Sequence, residues 1–217
     1  MFCTVQYSLS HGHPSPPRSG GSHNTGTGPR MSRITAVEAS EANPQQLEAL
    51  QAIEHAWGQV PNLGRVIALS LPLTHAVLRF DDALNEGALR GRTAELLAVA
   101  VSEQNRCRYC LSAHSAAARA VGASASDIAG ARVANVADMK TSAALQFAQA
   151  VVRDQGHISD DTLTSVRQAG WTDSEILEIV GHTIATTLTN YVHHLSRVVI
   201  DYPPVQFASE PNPGAGQ

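Results

Sequence analysis

The chain has 217 residues, a formal net charge of −4, 43% hydrophobic residues and 16% charged residues. That length supports one domain with a sizeable core, and the acidic balance leaves no basic footprint for nucleic acid. No apolar run approaches the ~18 residues of a membrane-spanning helix, and three cysteines, two of them close together, do not make a secreted disulfide scaffold.

Residues 1–30 are rich in Gly, Ser, Pro, Thr and His and offer no periodic apolar face, so they read as disordered tail. They lack the basic start and continuous apolar stretch of a signal peptide. Met31 opens a more ordinary beginning, which fits a start-site extension. His11, His13 and His23 are too loosely spaced for a metal tract, and Cys3 is incidental. Helical periodicity begins at Asn43-Pro44, an N-cap followed by proline in the first turn. Leu47, Leu50, Ile53 and Trp57 then recur at helical steps until Gly58 and Pro61. A short helix over 62–69, one over 71–84 and one over 92–104 follow, with Gly87 breaking between the last two. The segment after Asn105 reads as a helix ending at Gly122. Further helices are expected over 124–132, 141–154 and 159–169, and a long one over 174–199, ended by Asp201-Tyr-Pro-Pro. Ser159 and Thr172 stand as polar caps before the last two. No segment reads as a convincing strand. The expectation is an all-α, single-domain helical bundle over 34–208, with disordered tails at 1–33 and 209–217.

The chemistry concentrates in GRTAELLAVAVSEQNRCRYCLSAHSAAARA, residues 91–120. On a helix, Cys107, Cys110 and His114 are spaced i, i+3 and i+7 and share one face. A thiolate is the nucleophile, and an ordinary cysteine with a pKa of about 8.5 is only slightly ionised at neutral pH. A helix N-terminus and an imidazole one turn away both favour the ionised form. Two thiols at this spacing can close a disulfide. Glu95 precedes Leu-Leu-Ala-Val-Ala-Val, an apolar run that marks a buried helix, so its carboxyl is expected to be desolvated and suited to proton transfer. The alternative is a solvated acid favouring its helix dipole. Arg106 and Arg108 flank the first cysteine, either favouring its thiolate or standing in solvent.

Glu95, Cys107-x-x-Cys110 and His114, with the words ELLAVAVSEQNRCRYCLSAHS around them, resemble the active-site signature of alkylhydroperoxidase D-like proteins of the carboxymuconolactone decarboxylase superfamily. A second stretch, GWTDSEILEIVGHTIATTLTNYVHHLSRVVIDYPPV, resembles the C-terminal helix of its peroxidase-related subgroup, and together the resemblance covers roughly residues 34–207. It implies a thiol-dependent peroxidase, active in antioxidant defence. Cys110 attacks the peroxide, His114 backed by Glu95 acts as general base, and Cys107 resolves the sulfenic acid to a Cys107–Cys110 disulfide. An external dithiol or a reductase protein then reduces the pair. No cofactor beyond the redox-active disulfide is implied, the compartment is expected to be the reducing cytoplasm, and the protein is expected to be a homo-oligomer (dimer, trimer or hexamer) with the last long helix at the interface. The resemblance also implies that Tyr109, Asn190, Tyr191 and His194 wall a cavity or an interface. Tyr109 stands where the best-studied members carry a histidine. The decarboxylase branch lacks the dithiol.

Other readings remain beside this one. The dithiol can be a switch in a non-catalytic or ligand-binding helical protein, or serve a disulfide oxidoreductase with a non-peroxide substrate. Cys107, Cys110, His114 and Glu95 can be written as a zinc set, although structural zinc prefers cysteines on a tight knuckle. On the last helix, His182 and His193 share a face, but only Glu178 joins them as a possible metal ligand. His55, His75, Trp57 and Trp171 read as ordinary helix and packing residues.

Overall fold

In the computed structural model the chain is described over residues 32–210. The tail readings for 1–31 and 211–217, including Cys3, His11, His13 and His23, lie outside the described residues. Helix starts follow local polar chemistry. Asn43 Oδ1 accepts from Gln46 N at 2.9 Å and Gln46 Oε1 accepts from Asn43 N at 3.0 Å, a reciprocal cap that opens α1 (Pro44–Trp57). Gly58, at φ 73°, closes it in the left-handed region that glycine adopts freely. Next come α2 (Asn62–Ile67) and α3 (Leu71–Asn85), the latter capped by Ser70. They lead to α4 (Arg92–Gln104) and α5 (Arg108–Ala120). A Ser124–Asp127 capping box opens α6 (Ala125–Arg132), and α7 (Met139–Arg153) follows. Ser159 caps α8 (Asp160–Gln168), and a Thr172–Glu175 box opens α9 (Asp173–Ser196). No strand occurs among the described residues. No helix there is long and apolar enough to cross a membrane.

Boundaries in α2, α7 and α9 differ from the sequence reading by two residues or more, and α2 ends at Ile67 rather than 69. Helix α7 begins earlier than 141 because Asp138 accepts from Thr141 N at 2.8 Å and caps it. Helix α9 ends at Ser196 rather than 199 because Arg197 turns left-handed, at φ 54°. The Ser196 carbonyl then accepts from Arg33 N at 2.7 Å. The chain beyond runs back over α2, where Asp201 Oδ2 accepts from Asn62 N at 2.6 Å and places a carboxylate at the helix start.

Helix α4 is the centre. It packs against α5, α6, α7 and α9, and Leu96 through Glu103 are all buried. Its Leu96, Leu97, Val99 and Val101 meet Leu111, Leu145, Ala148 and Ile179 in the main core. Helix α9 approaches α3 closely at Gly181, where a Cβ would stand 2.8 Å from Leu84 Cδ2. A second cluster joins Leu63, Val66 and Ile67 of α2 to Cys107, Tyr109, Cys110 and Val198. The main core is thus built on the apolar run that follows Glu95, and the cysteines sit in a separate apolar cluster at its end. Leu97 is fully buried in that core, so Leu97→Ala is expected to lower the unfolding free energy by about 2–5 kcal/mol in urea denaturation. Asn43→Ala at the α1 cap is expected to cost only ~1 kcal/mol.

Candidate active site

Two helices meet at a corner of three residues, Asn105 to Cys107. Arg106 makes the corner at φ 58°, a left-handed conformation costing a non-glycine residue roughly 1 kcal/mol. Cys107 N donates back to Ser102 O at 2.9 Å. From across the bundle, Asn105 Nδ2 donates to Asn190 Oδ1 at 2.9 Å and to Thr187 Oγ1 at 3.1 Å. Asn190 is fully buried and its Nδ2 reaches Ser102 Oγ at 3.4 Å. A buried amide tied at both ends holds the corner against α9.

Cys107 is therefore not on the face of α5 but at its N-cap, with φ −94° and ψ 96°, one position outside the helix. This corrects the expectation of three residues stacked along one face. Cys110 lies in the first turn and His114 one turn further on. Both cysteines are free thiols, 0% and 2% exposed. The Cys110 thiol favours charge on Cys107 most strongly. Burial opposes it, and the His193 ring and Cys110 N–H add to the favourable side, bringing Cys107 down to about 5. Cys110 moves the other way, chiefly through the neighbouring Cys107 sulfur and through burial. The proton of the pair stays on Cys110, whose Sγ lies 4.0 Å from Thr189 Oγ1.

His114 Nδ1 lies 2.9 Å from Glu95 Oε2. The carboxylate accepts, so the ring proton sits on Nδ1 and Nε2 remains for exchange. Their side chains are 25% and 13% exposed. Burial disfavours the imidazolium, but the Glu95 hydrogen bond and charge, with the Asp81 and Cys107 charges behind them, outweigh it and raise His114 above its ordinary value. Glu95 is both in the first turn of α4 and bonded inward, so the solvated-acid reading does not describe it. Among the hydrogen bonds of the described residues, His114 reaches neither sulfur.

The imidazole that does reach a thiol is His193, with Nδ1 3.6 Å from Cys107 Sγ. Its Nε2 lies 3.3 Å from Val198 O. Its ring sits 5.0 Å from the Tyr109 ring, and the Tyr109 hydroxyl accepts from Leu63 N at 3.1 Å. Sequence reasoning placed His193 only in a possible metal set. Its signal was the spacing Thr183, Thr186, Asn190, His193, in which the first three are buried. Asp81 of α3 was missed too. Burial chiefly raises its carboxyl to about 6, with the His114 charge opposing. In sequence it is one of two adjacent acids, and only the fold turns it inward.

Of the cavity-or-interface residues, Tyr109 and Asn190 are buried beside the thiols. Tyr191 and His194 instead lie exposed on α9, stacked with ring centroids 6.2 Å apart. Arg106 and Arg108 turn away from the sulfurs. They lie 4.1 and 5.1 Å from the Phe207 ring centroid, and Arg108 pairs with Glu210 at 2.6 Å. His182 Nε2 is buried without a hydrogen-bond partner among the described residues, and burial holds the ring below its ordinary value. Among the described residues, no three His, Cys, Asp or Glu side chains gather as a metal site.

Residues 72–154 match the model of the carboxymuconolactone decarboxylase family. The chain superposes on the alkylhydroperoxidase AhpD core of an uncharacterized peroxidase-related protein from Ralstonia eutropha JMP134, with a TM-score of 0.68 and 22% identity, covering 78% of this chain and 92% of that one. An uncharacterized peroxidase-related protein from Silicibacter sp. TM1040 gives 0.65 and 26%, covering 83% and 96%. The debrominase Bmp8, crystallised in complex with 2,3,4-tribromopyrrole, gives 0.66 and 17%, covering 80% and 94%. No curated protein matches the chain.

The Glu95–His114 pair fixes a pH response. A histidine whose folded value is raised contributes stability that is complete below its unfolded value of about 6.5 and is lost as pH rises through the folded value. Glu95→Gln removes the charge that raises it. The variant is expected to bring the His114 midpoint below ~6.5 by NMR titration, and to lose more stability at pH 6 than at pH 9 in urea denaturation.

Proposed function

We propose that this chain, whose residues 72–154 match the carboxymuconolactone decarboxylase family model and whose fold is alkylhydroperoxidase AhpD-like, is a thiol-dependent peroxidase. The observation that carries the reading is the buried Cys107–Cys110 dithiol with the Glu95–His114 proton pair on the same two helices. One thiolate of the pair attacks the terminal peroxide oxygen. A sulfur–oxygen bond forms, the O–O bond breaks, and the alkoxide leaves. His114, held toward its protonated form by Glu95, supplies the alkoxide with a proton. The cysteine becomes a sulfenic acid, and the other thiol displaces water to close the disulfide. An external dithiol then reduces it, leaving two protein thiols and an oxidised reductant.

The surroundings of the thiols suit an organic hydroperoxide with an apolar body, since both sulfurs share a buried cluster with Leu63, Val66, Ile67 and Val198. The reductant is a small dithiol or a reductase protein. A second copy of the chain is the proposed partner for the exposed α9 residues Leu177, Ile184, Leu188, Tyr191 and Leu195. A redox switch is the second reading, favoured by the near-complete burial of both thiols.

Purified protein given cumene hydroperoxide and excess dithiothreitol is expected to consume peroxide over many turnovers. Cys107→Ser and Cys110→Ser abolish sustained turnover, and His114→Ala lowers kcat/KM by about 10²-fold. Oxidation that stops after one disulfide per chain, with dithiothreitol still present, overturns the peroxidase in favour of the switch.

A further inference from the structure

We propose that His193 is the proton acceptor for Cys107 and that this pair, rather than Cys110 with His114, supplies the attacking thiolate. The inference rests on the peroxidase reading for its reaction, but its geometry is independent of it. A backbone carbonyl only accepts, so the hydrogen between His193 Nε2 and Val198 O belongs to the ring. In the neutral ring Nδ1 is then the bare nitrogen, and it faces Cys107 Sγ at 3.6 Å. The thiol donates into it.

Three features hold that orientation. Tyr109 lies against the ring at 5.0 Å, with its own hydroxyl fixed by Leu63 N. Tyr202 meets Tyr109 edge-on at 5.7 Å. His193 stands in the last turn of α9, where carbonyl ends favour the cation that forms on proton transfer. The sulfur has the complementary placement, at the N-cap of α5 with no side-chain cap bond formed there. The thiolate thus meets the positive end of one helix and the imidazolium the negative end of another.

The other titratable groups around this sulfur are Cys110 on its own helix, His114 with Glu95 and Asp81 behind it, and Tyr109 and Tyr202 of the cluster it packs in. Cys110 keeps its proton and favours charge on Cys107, while Arg106 and Arg108 are engaged with Phe207 and Glu210. In the reaction, His193 takes the Cys107 proton and the thiolate attacks the peroxide. Cys107 becomes the sulfenic acid, and the alkoxide leaves with a proton from His114, which solvent replaces as His193 returns its own. Cys110, still protonated, attacks the sulfenic sulfur and releases water. His193 thus acts as the base for the reacting Cys107 sulfur.

The test uses reduced full-length protein in two measurements. In the first, thiolate absorbance is titrated in Cys110→Ser and Cys107→Ser, each with and without His193→Gln. In Cys110→Ser the serine hydroxyl stands in for the Cys110 thiol as donor to Cys107, and the midpoint is expected below the ordinary ~8.5. The Cys107→Ser midpoint is expected at or above it, and His193→Gln is expected to raise only the former, by about one pH unit. In the second, one equivalent of cumene hydroperoxide is added and the sulfenic acid is trapped with dimedone and located by mass spectrometry. The adduct is expected on Cys107. His193→Gln is expected to move the pH midpoint of its formation upward while leaving the alkaline plateau within about threefold, since the thiolate itself persists there. A plain folding defect would lower the plateau as well. Trapping at Cys110 in Cys107→Ser as fast as in wild type, or a midpoint unmoved by His193→Gln, overturns the proposal. If wild type consumes no hydroperoxide, the peroxidase reading fails alone, and the thiolate titration still decides the part of His193. If His193→Gln does not fold, His193→Asn replaces it, and the two single-cysteine titrations assign the thiolate without either.

Discussion

The three-residue corner between α4 and α5 is the constraint on which the rest of the site depends. Arg106 adopts a left-handed conformation there, and the Asn105–Asn190 amide pair fastens the corner to α9. Without that turn, Cys107 would be an ordinary helical residue on the same face as Cys110. With it, the first sulfur stands at the open N-terminus of α5 while the second is enclosed by the first turn. The two side chains, three residues apart, then shift in opposite directions, Cys107 down and Cys110 up, each chiefly through the other sulfur. The strain of the left-handed residue, roughly 1 kcal/mol, is small beside the buried core that surrounds it.

On the proposed mechanism two imidazoles divide the proton chemistry. His114 is tied through Nδ1 to a carboxylate and so tends to hold its proton, which makes it a donor. His193 is tied through Nε2 to a carbonyl and so presents a bare nitrogen, which makes it an acceptor. The difference comes from the second partner of each ring. Asp81 lies behind the first pair and joins a third helix to it. The partners of each ring thus come from different helices and from the C-terminal segment.

The C-terminal segment completes the enclosure. Asp201 sits at the start of α2, Val205 N donates to Ser112 Oγ at 3.0 Å, and Phe207 lies against Arg106 and Arg108. Arginines that flank a cysteine in sequence thus serve the segment that covers it. Glu103 takes Arg132 at 3.0 Å and Ala208 N at 2.7 Å, so the same helix that supports the corner anchors the segment passing over it.

The sequence by itself determined the helices, because apolar periodicity, Asn43-Pro44, Ser159 and Thr172 are local signals whose physics acts within one turn. It also singled out Glu95, Cys107, Cys110 and His114 as the candidate site residues, because an acid beside an apolar run and a dithiol one turn from an imidazole are visible as spacing. Where Asp138 and Arg197 moved a boundary, the deciding interaction was a single cap or a single left-handed residue. Only the tertiary structure decided which thiol has an imidazole beside it, since Cys107 and His193 are 86 positions apart. It alone placed Asp81 behind His114, left Tyr191 and His194 outside, and turned the flanking arginines away. Those outcomes depend on how α3, α5, α9 and the C-terminal segment pack, and no periodicity along one helix encodes the orientation of its neighbours.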